Sequence, residues 1–137
     1  MHQRWIELWG SADPGFNLFI ENWARDAAAA QPERCAVPFT PPAPIQGVGI
    51  GELLILGLPG EVFNQYGTRL YPRFPTLMPF GYCGGAFSYW PTREAFHDVP
   101  NDYAACFAAM CIHLFTFSED LEDVVRAAAV EVLEGLG

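Results

Sequence analysis

Two short segments hold the residues that are best suited to chemistry. Leu58–Glu61 (Leu-Pro-Gly-Glu) ends an apolar run with a carboxylate, and Ser88–Thr92 (Ser-Tyr-Trp-Pro-Thr) places a phenol in a loop bounded by glycine and proline. A carboxylate serves as a metal ligand or a general base. A phenolate binds a metal or stabilises a developing oxyanion. Glu61 and Tyr89 are therefore the candidate site residues.

Each candidate also has an ordinary structural interpretation. Gly60 permits a turn or the close approach of another group, and a helix that starts after it would hold Glu61 ionised. A carboxylate in a first turn also stabilises its own helix, with no further role. The ring of Tyr89 can pack against apolar neighbours while its hydroxyl meets water. Neither residue is specific by itself.

The elements before the candidate residues are a helix and a connector. Asp13-Pro14 is typical of a helix start, and apolar residues at helical spacing continue the helix to about Ala30. Their stripe includes Phe16, Phe19 and Trp23. Residues 31–44 are rich in proline and lack periodicity, which predicts an extended connector.

Two strands are predicted next, at Ile45–Ile50 and Leu53–Leu58. The second is apolar without alternation, as expected for a strand that is covered on both faces. A helix should then run from Val62 to Leu70, before prolines stop it, and Thr76–Tyr82 favours a third strand. In α/β sheets, functional groups collect beyond the carboxyl ends of strands, which is where Glu61 falls.

The C-terminal third is helical in part. Asn101-Asp102 is typical of a cap and predicts a helical stretch from Tyr103 to Met110, whereas Ile112–Phe117 fits either a helix or a strand. Ser118 caps the last helix, and acids follow in its first turn. The apolar stripe of this helix comprises Leu121, Val124, Val125, Ala128, Val132, Leu133 and Leu136.

These elements predict a small layered α/β domain, with a short mixed sheet of about three to four strands flanked by helices and an amphipathic C-terminal helix. Residues 1–137 form one domain, with an N-terminal helix (1–30), a connector (31–44) and an α/β core (45–137). The apolar fraction of 51% suggests more apolar surface than the chain hides alone.

Composition excludes several function classes. The net charge is −9 and there is no lysine, so the chain lacks the basic stripe that nucleic acid or anionic lipid requires. No signal peptide and no apolar run of bilayer length is visible, which predicts a soluble, cytoplasmic chain as written. The four cysteines have no zinc-ribbon spacing, and buried free thiols are favoured over two disulfides.

Four segments together carry a family resemblance. They are Gln46–Glu52, Leu56–Glu61, Gly81–Gly85 and Tyr89–Phe96. In this order they resemble the C-terminal part of the catalytic region of the neutral/alkaline (non-lysosomal) ceramidase family. The resemblance is good from about residue 45 to 96, moderate over the last helix and weak before residue 44. Trp90 and Phe96 depart from the aliphatic residue and the tyrosine that are usual in the family.

The resemblance implies a zinc amidohydrolase that cleaves the N-acyl bond of ceramide or a related lipid amide. In that family two histidines, a glutamate and a tyrosine hold Zn²⁺, and Glu61 and Tyr89 match the last two. The family histidines lie upstream of the matching region. His2, His97 and His113 are poor substitutes, since no pair of them has the spacing of a zinc-binding helix face.

Two functions are therefore open. The first is the C-terminal portion of a ceramidase-like hydrolase, which supplies two of the four metal ligands, binds zinc weakly at most and is inactive alone. The second is a non-catalytic module that keeps the fold and self-associates. Both predict a partner: a homo-oligomer or a missing histidine-bearing segment. We expect the interface at the stripe around Phe16, Phe19 and Trp23, or at Ile112–Phe117. A chance match to the family motifs is a third reading.

Overall fold

A computed structural model describes residues 6–7, 10, 13–34, 43–98, 102–108, 111 and 116–137. The predictions for His2, Cys35, His113, most of the connector and most of the 112–117 run lie outside these residues.

The chain is a small α/β domain, as predicted. Its elements in chain order are α1 (Pro14–Arg34), β1 (Gln46–Ile50), β2 (Leu53–Gly57), β3 (Glu61–Val62), α2 (Gln65–Thr68), β4 (Leu77–Phe80), β5 (Tyr89–Trp90), a 3-10 helix (Arg93–Asp98), a π-helix (Tyr103–Phe107) and α3 (Leu121–Glu134). None of the helices among the described residues has both the length and the apolar character needed to cross a bilayer.

The main sheet is mixed and has the strand order β1-β2-β4. β1 and β2 form an antiparallel hairpin, and β4 joins β2 in parallel. Gly51 turns the hairpin with a φ of 59°, a conformation that favours glycine. β3 and β5 form a separate parallel pair beyond the carboxyl end of β2. The predicted short mixed sheet is confirmed.

One face of the main sheet packs against α3. A Cβ atom on Gly47 would lie only 2.6 Å from Cγ1 of Val132, so glycine in β1 lets the helix approach closely. Leu56 and Leu77 lie on this face and are buried. With them, the core cluster comprises Leu58, Tyr66, Leu70, Trp90, Val125, Ala129 and Leu133. The predicted stripe of α3 is wrong at Val124, which is 61% exposed.

The other face of the main sheet is open. Val48, Ile55 and Met78 lie side by side across its three strands, and Ile50 and Phe80 lie on the same face. Val48 is 51% exposed, Ile50 60%, Met78 46% and Phe80 45%. We call these five residues the open sheet face. β2 itself is partly or fully buried along its whole length, and the exposed side chains of this face lie on β1 and β4.

The N-terminal helix is confirmed and runs past the predicted end at Ala30 to Arg34. Its Ile20 is fully buried in a second cluster with Cys106 and Phe107. The ring centroids of Phe16 and Phe107 are 5.3 Å apart. Much of the stripe that was expected to form an interface is therefore used within the chain, although Phe19 remains 37% exposed.

The helix predicted from Val62 to Leu70 is present but shorter, and its predicted start is wrong. Val62 belongs to β3, and α2 covers only Gln65–Thr68. The backbone N–H groups of Glu61 and Phe63 instead donate to carbonyl oxygens of the β5 region, at 3.0 and 3.3 Å. Pairing with a distant segment satisfies the backbone that a helix would otherwise satisfy locally.

Two smaller expectations also change. Asp120, not Ser118, is the N-cap of α3, and the Ser118 hydroxyl donates to the Asp120 carboxylate. Cys83, Cys106 and Cys111 are free thiols, as predicted, but of these three only Cys106 is buried, and Cys111 is exposed.

The Asp102 cap is confirmed, since its carboxylate accepts from the Ala105 N–H at 2.8 Å.

The Glu61–Tyr89 candidate site

The candidate site lies beyond the carboxyl ends of β2 and β4. These strands are parallel, so the segments that follow them leave the sheet at the same edge. Glu61 follows β2, and Tyr82 follows β4. The expectation that Glu61 lies at such an edge is confirmed.

Backbone hydrogen bonds hold the segment between β2 and β3 on both sides. The Tyr82 N–H donates to the Gly60 carbonyl at 2.9 Å, and the Glu61 N–H donates to the Ser88 carbonyl at 3.0 Å. The Leu-Pro-Gly-Glu segment therefore lies between the loop after β4 and the strand β5, and the orientation of Glu61 is set from both directions.

Position 60 requires glycine because the Trp90 ring approaches its backbone closely. A Cβ atom there would lie 2.8 Å from Nε1 of Trp90, whose ring packs directly on the glycine backbone. The Trp90 indole N–H donates to the Phe87 carbonyl at 3.1 Å, which fixes the ring. The predicted close approach at Gly60 is confirmed, but the predicted helix start at Glu61 is wrong because Glu61 lies in a strand.

Glu61 and Tyr89 are direct partners in the parallel pair of β3 and β5. Side chains of opposite residues in paired strands lie on the same face. Hydrogen bonding to the Glu61 carboxylate is the main cause that raises the pKa of Tyr89 above its ordinary value of 10.0. The two candidate residues, distant in sequence, are therefore in contact.

Tyr82 is a third member of the site that the sequence analysis did not single out. Hydrogen bonding to Glu61 is also the largest cause that raises the pKa of Tyr82 to about 12. Tyr82 adopts a φ of 57°, which is uncommon for a residue with a side chain. Its position at the end of the predicted strand Thr76–Tyr82, close to the carboxyl edge where Glu61 was expected, was the available signal.

These groups border an open pocket of about 160 Å³. Its lining comprises Glu61, Tyr82, Ala86, Ser88, Tyr89, Tyr103, Ala108 and Cys111. The rings of Tyr89 and Tyr103 meet edge to face, with centroids 5.5 Å apart and planes at 86°. Among the described residues that line the pocket, Glu61 is the one charged side chain.

Ser88 combines two unfavourable features beside this pocket. Its φ is 67°, in the left-handed region, and its side chain is only 4% exposed. Its buried hydroxyl has no hydrogen-bond partner among the described residues. Strained residues and unsatisfied buried groups concentrate at functional sites. Sequence alone gave no signal for Ser88, because both features depend on its surroundings.

The segment after Tyr89 is anchored to the rest of the domain. The Tyr66 hydroxyl donates to the Pro91 carbonyl at 3.0 Å, and the Arg93 N–H donates to the buried carboxylate of Glu122 at 2.8 Å. Arg69 forms a salt bridge with the same carboxylate. These contacts join α2, the 3-10 helix and α3, so the position of Tyr89 depends on helix packing.

The metal-ligand set is not complete within the described residues. No group of three or more His, Cys, Asp or Glu side chains there is arranged to hold a metal ion. His97 is exposed in the 3-10 helix and does not line the pocket. Glu61 and Tyr89 place a carboxylate and a phenol side by side at the pocket.

Comparison of the chain with protein-family models, with curated proteins and with solved structures finds no match.

Proposed function

We propose that the chain is the C-terminal portion of a zinc amidohydrolase of the ceramidase type, which acts on the N-acyl bond of a lipid amide. It supplies Glu61 and Tyr89 as two of four metal ligands and is inactive alone. The observation that carries the proposal is the direct pairing of Glu61 with Tyr89 across β3 and β5. Two separate motifs of the family thus meet at one pocket.

The pocket suits a metal site in two respects. A carboxylate oxygen and a phenol oxygen are both ligands that zinc accepts, and neighbouring backbone bonds orient both side chains. Bound zinc would act as a Lewis acid and lower the pKa of its water. Glu61 and Tyr89 would bind and orient the ion, and two histidines from a partner segment would complete the set.

Imidazole provides a direct test of a half-site. Because the proposed missing ligands are histidines, free imidazole should strengthen zinc binding by the chain, whereas zinc binding without imidazole should be weak. Glu61→Gln and Tyr89→Phe should each abolish this enhancement, since each removes one of the two protein ligands. Zinc affinity is measured by competition with a chromogenic chelator over a series of imidazole concentrations, and hydrolysis of a fluorogenic N-acyl amide is assayed in parallel.

Tyr71→Phe is the matched control, because Tyr71 is exposed and does not line the pocket. It should behave as the wild type does. An imidazole effect that persists in Glu61→Gln and Tyr89→Phe would refute the proposal. Tight stoichiometric zinc binding without imidazole would refute the half-site, as would hydrolysis by the chain alone.

The open sheet face favours the second function, a self-associating module. Its Val48, Ile50, Met78 and Phe80 are each close to half exposed or more and carry no charge. A contiguous exposed apolar patch of this kind is typical of an interaction surface. This surface differs from the two interfaces that the sequence analysis predicted.

A matched pair of valine substitutions tests self-association. Val48→Lys places a charge on the open sheet face, whereas Val124→Lys places one on α3 at a comparably exposed position. If the chain self-associates through the sheet, light scattering should show an oligomer for the wild type and Val124→Lys, and a monomer for Val48→Lys. A wild-type monomer at high concentration would exclude this function.

A further inference from the structure

We propose that the pocket beside Glu61 binds a methylated ammonium group. Three tyrosines line it, at positions 82, 89 and 103, together with the Glu61 carboxylate. The face of an aromatic ring attracts a cation placed over it, and aromatic cages of this composition recognise quaternary ammonium groups. This proposal goes beyond the hydrolase function and does not depend on it.

The charge of the pocket selects a cation. Glu61 is its one charged side chain among the described lining residues, and the whole chain carries a net charge of −9. An anion would meet an uncompensated carboxylate, and its binding would be unfavourable. A neutral group would gain contact with the rings but no electrostatic attraction.

The hydrogen bonds within the pocket favour a methylated ammonium over a primary one. Tyr89 lies opposite Glu61 in the strand pair and Tyr82 lines the same pocket, so the phenols of both residues compete for the Glu61 carboxylate. A primary ammonium loses hydrogen bonds from three donors when it leaves water and must replace them. A quaternary ammonium has no N–H donors and needs only negative potential and ring contact.

The geometry provides two walls at nearly a right angle. The planes of Tyr89 and Tyr103 meet at 86°, and Tyr103 is 45% exposed. The pocket holds about 160 Å³, and cavities of about 150 Å³ accommodate benzene. A trimethylammonium group is of similar bulk, so it fits beside both rings with its charge toward Glu61.

The test compares choline with 3,3-dimethylbutan-1-ol, which has the same shape without the charge. Dissociation constants are measured by nuclear magnetic resonance titration of the purified chain, from the shifts of the probe methyl groups. We expect choline to bind and its neutral isostere to bind on the order of tenfold more weakly. Equal binding of the two probes, or binding of neither, would overturn the proposal.

Variants separate the ammonium site from the zinc half-site. Tyr103→Leu should weaken choline binding roughly threefold to fivefold, because one ring wall is lost. Tyr103→Phe keeps the ring that packs edge to face on Tyr89, so it should retain choline binding and leave the imidazole-dependent zinc binding unchanged. Glu61→Gln should weaken both. If zinc binding fails but choline still discriminates, only the hydrolase proposal fails. If choline binding is unaffected by Tyr103→Leu, the aromatic wall has no role and the ammonium proposal fails.

Discussion

Replacing Ser88 with glycine should stabilise the protein, although most substitutions of buried residues destabilise. A non-glycine residue in the left-handed conformation costs about 1–2 kcal/mol, and Ser88 has a φ of 67°. A buried hydroxyl without a hydrogen bond costs about 1–3 kcal/mol, and the Ser88 Oγ atom is in this state within the described residues. Glycine removes both costs.

Two losses offset part of this gain. Glycine gives the unfolded chain more conformational freedom, which costs about 0.5–1 kcal/mol, and one buried CH₂ group is lost, which costs about 0.8 kcal/mol. The balance for Ser88→Gly is a stabilisation of about 2 kcal/mol. For a domain of this length, that corresponds to an increase in Tm of roughly 6 °C.

Urea unfolding followed by tryptophan fluorescence measures the change, since Trp90 is 3% exposed and lies close to Ser88 in the chain. Ser88→Ala isolates the hydroxyl and should stabilise by about 1–2 kcal/mol. Ser118→Gly is the control, because Ser118 is exposed and has an ordinary φ. A destabilised Ser88→Gly variant would refute the reasoning, because it would mean that Ser88 is neither strained nor unsatisfied.

Three further outcomes follow from the contacts around the site. Glu122→Ala should lower the free energy of unfolding by about 2–3 kcal/mol in a urea titration, because it removes a buried carboxylate that pairs with Arg69; unchanged stability would contradict this. Hydrogen bonds from its own backbone, Thr92 and Arg69 lower the pKa of Glu94 to about 2, so its stabilisation is present above its ordinary value of 4.5 and is lost as the pH falls toward 2. Glu94→Gln should therefore reduce the acid sensitivity of the thermal melting temperature, and an identical pH profile would count against it. Burial raises the pKa of Cys106 to about 11, so iodoacetamide followed by peptide mass spectrometry should label exposed Cys111 first, and equal rates would show that Cys106 is accessible.

Much of the fold was predictable because local pattern and burial agree. The apolar run Leu53–Leu58 and its Pro-Gly end predicted β2, and α3 has a regular apolar stripe with acids in its first turn. Prediction failed at Val62, where spacing favoured a helix. Pairing with β5 determines that residues 61–62 form a strand. The local sequence pattern holds no information about a partner so distant in the chain.

The site was half predictable for the same reason. Glu61 and Tyr89 stood out by their motifs, and Tyr82 had only its place at the end of a predicted strand. Ser88 and Tyr103 did not stand out, since an isolated tyrosine or serine carries no signal in sequence. Only the fold brings the three tyrosines to one carboxylate. Likewise, the sequence indicated surplus apolar surface, but the structure located it on the main sheet.

By itself, the sequence determined the α/β class, the negative charge, and the identity of the carboxylate and the phenol at the candidate site. These depend on composition and short-range periodicity, which are properties of neighbouring residues. The tertiary structure alone decided that Glu61 lies in a strand opposite Tyr89 and that Ser88 is strained and buried. Those facts depend on backbone pairing between distant segments, because such pairing fixes both the conformation and the surroundings of each residue.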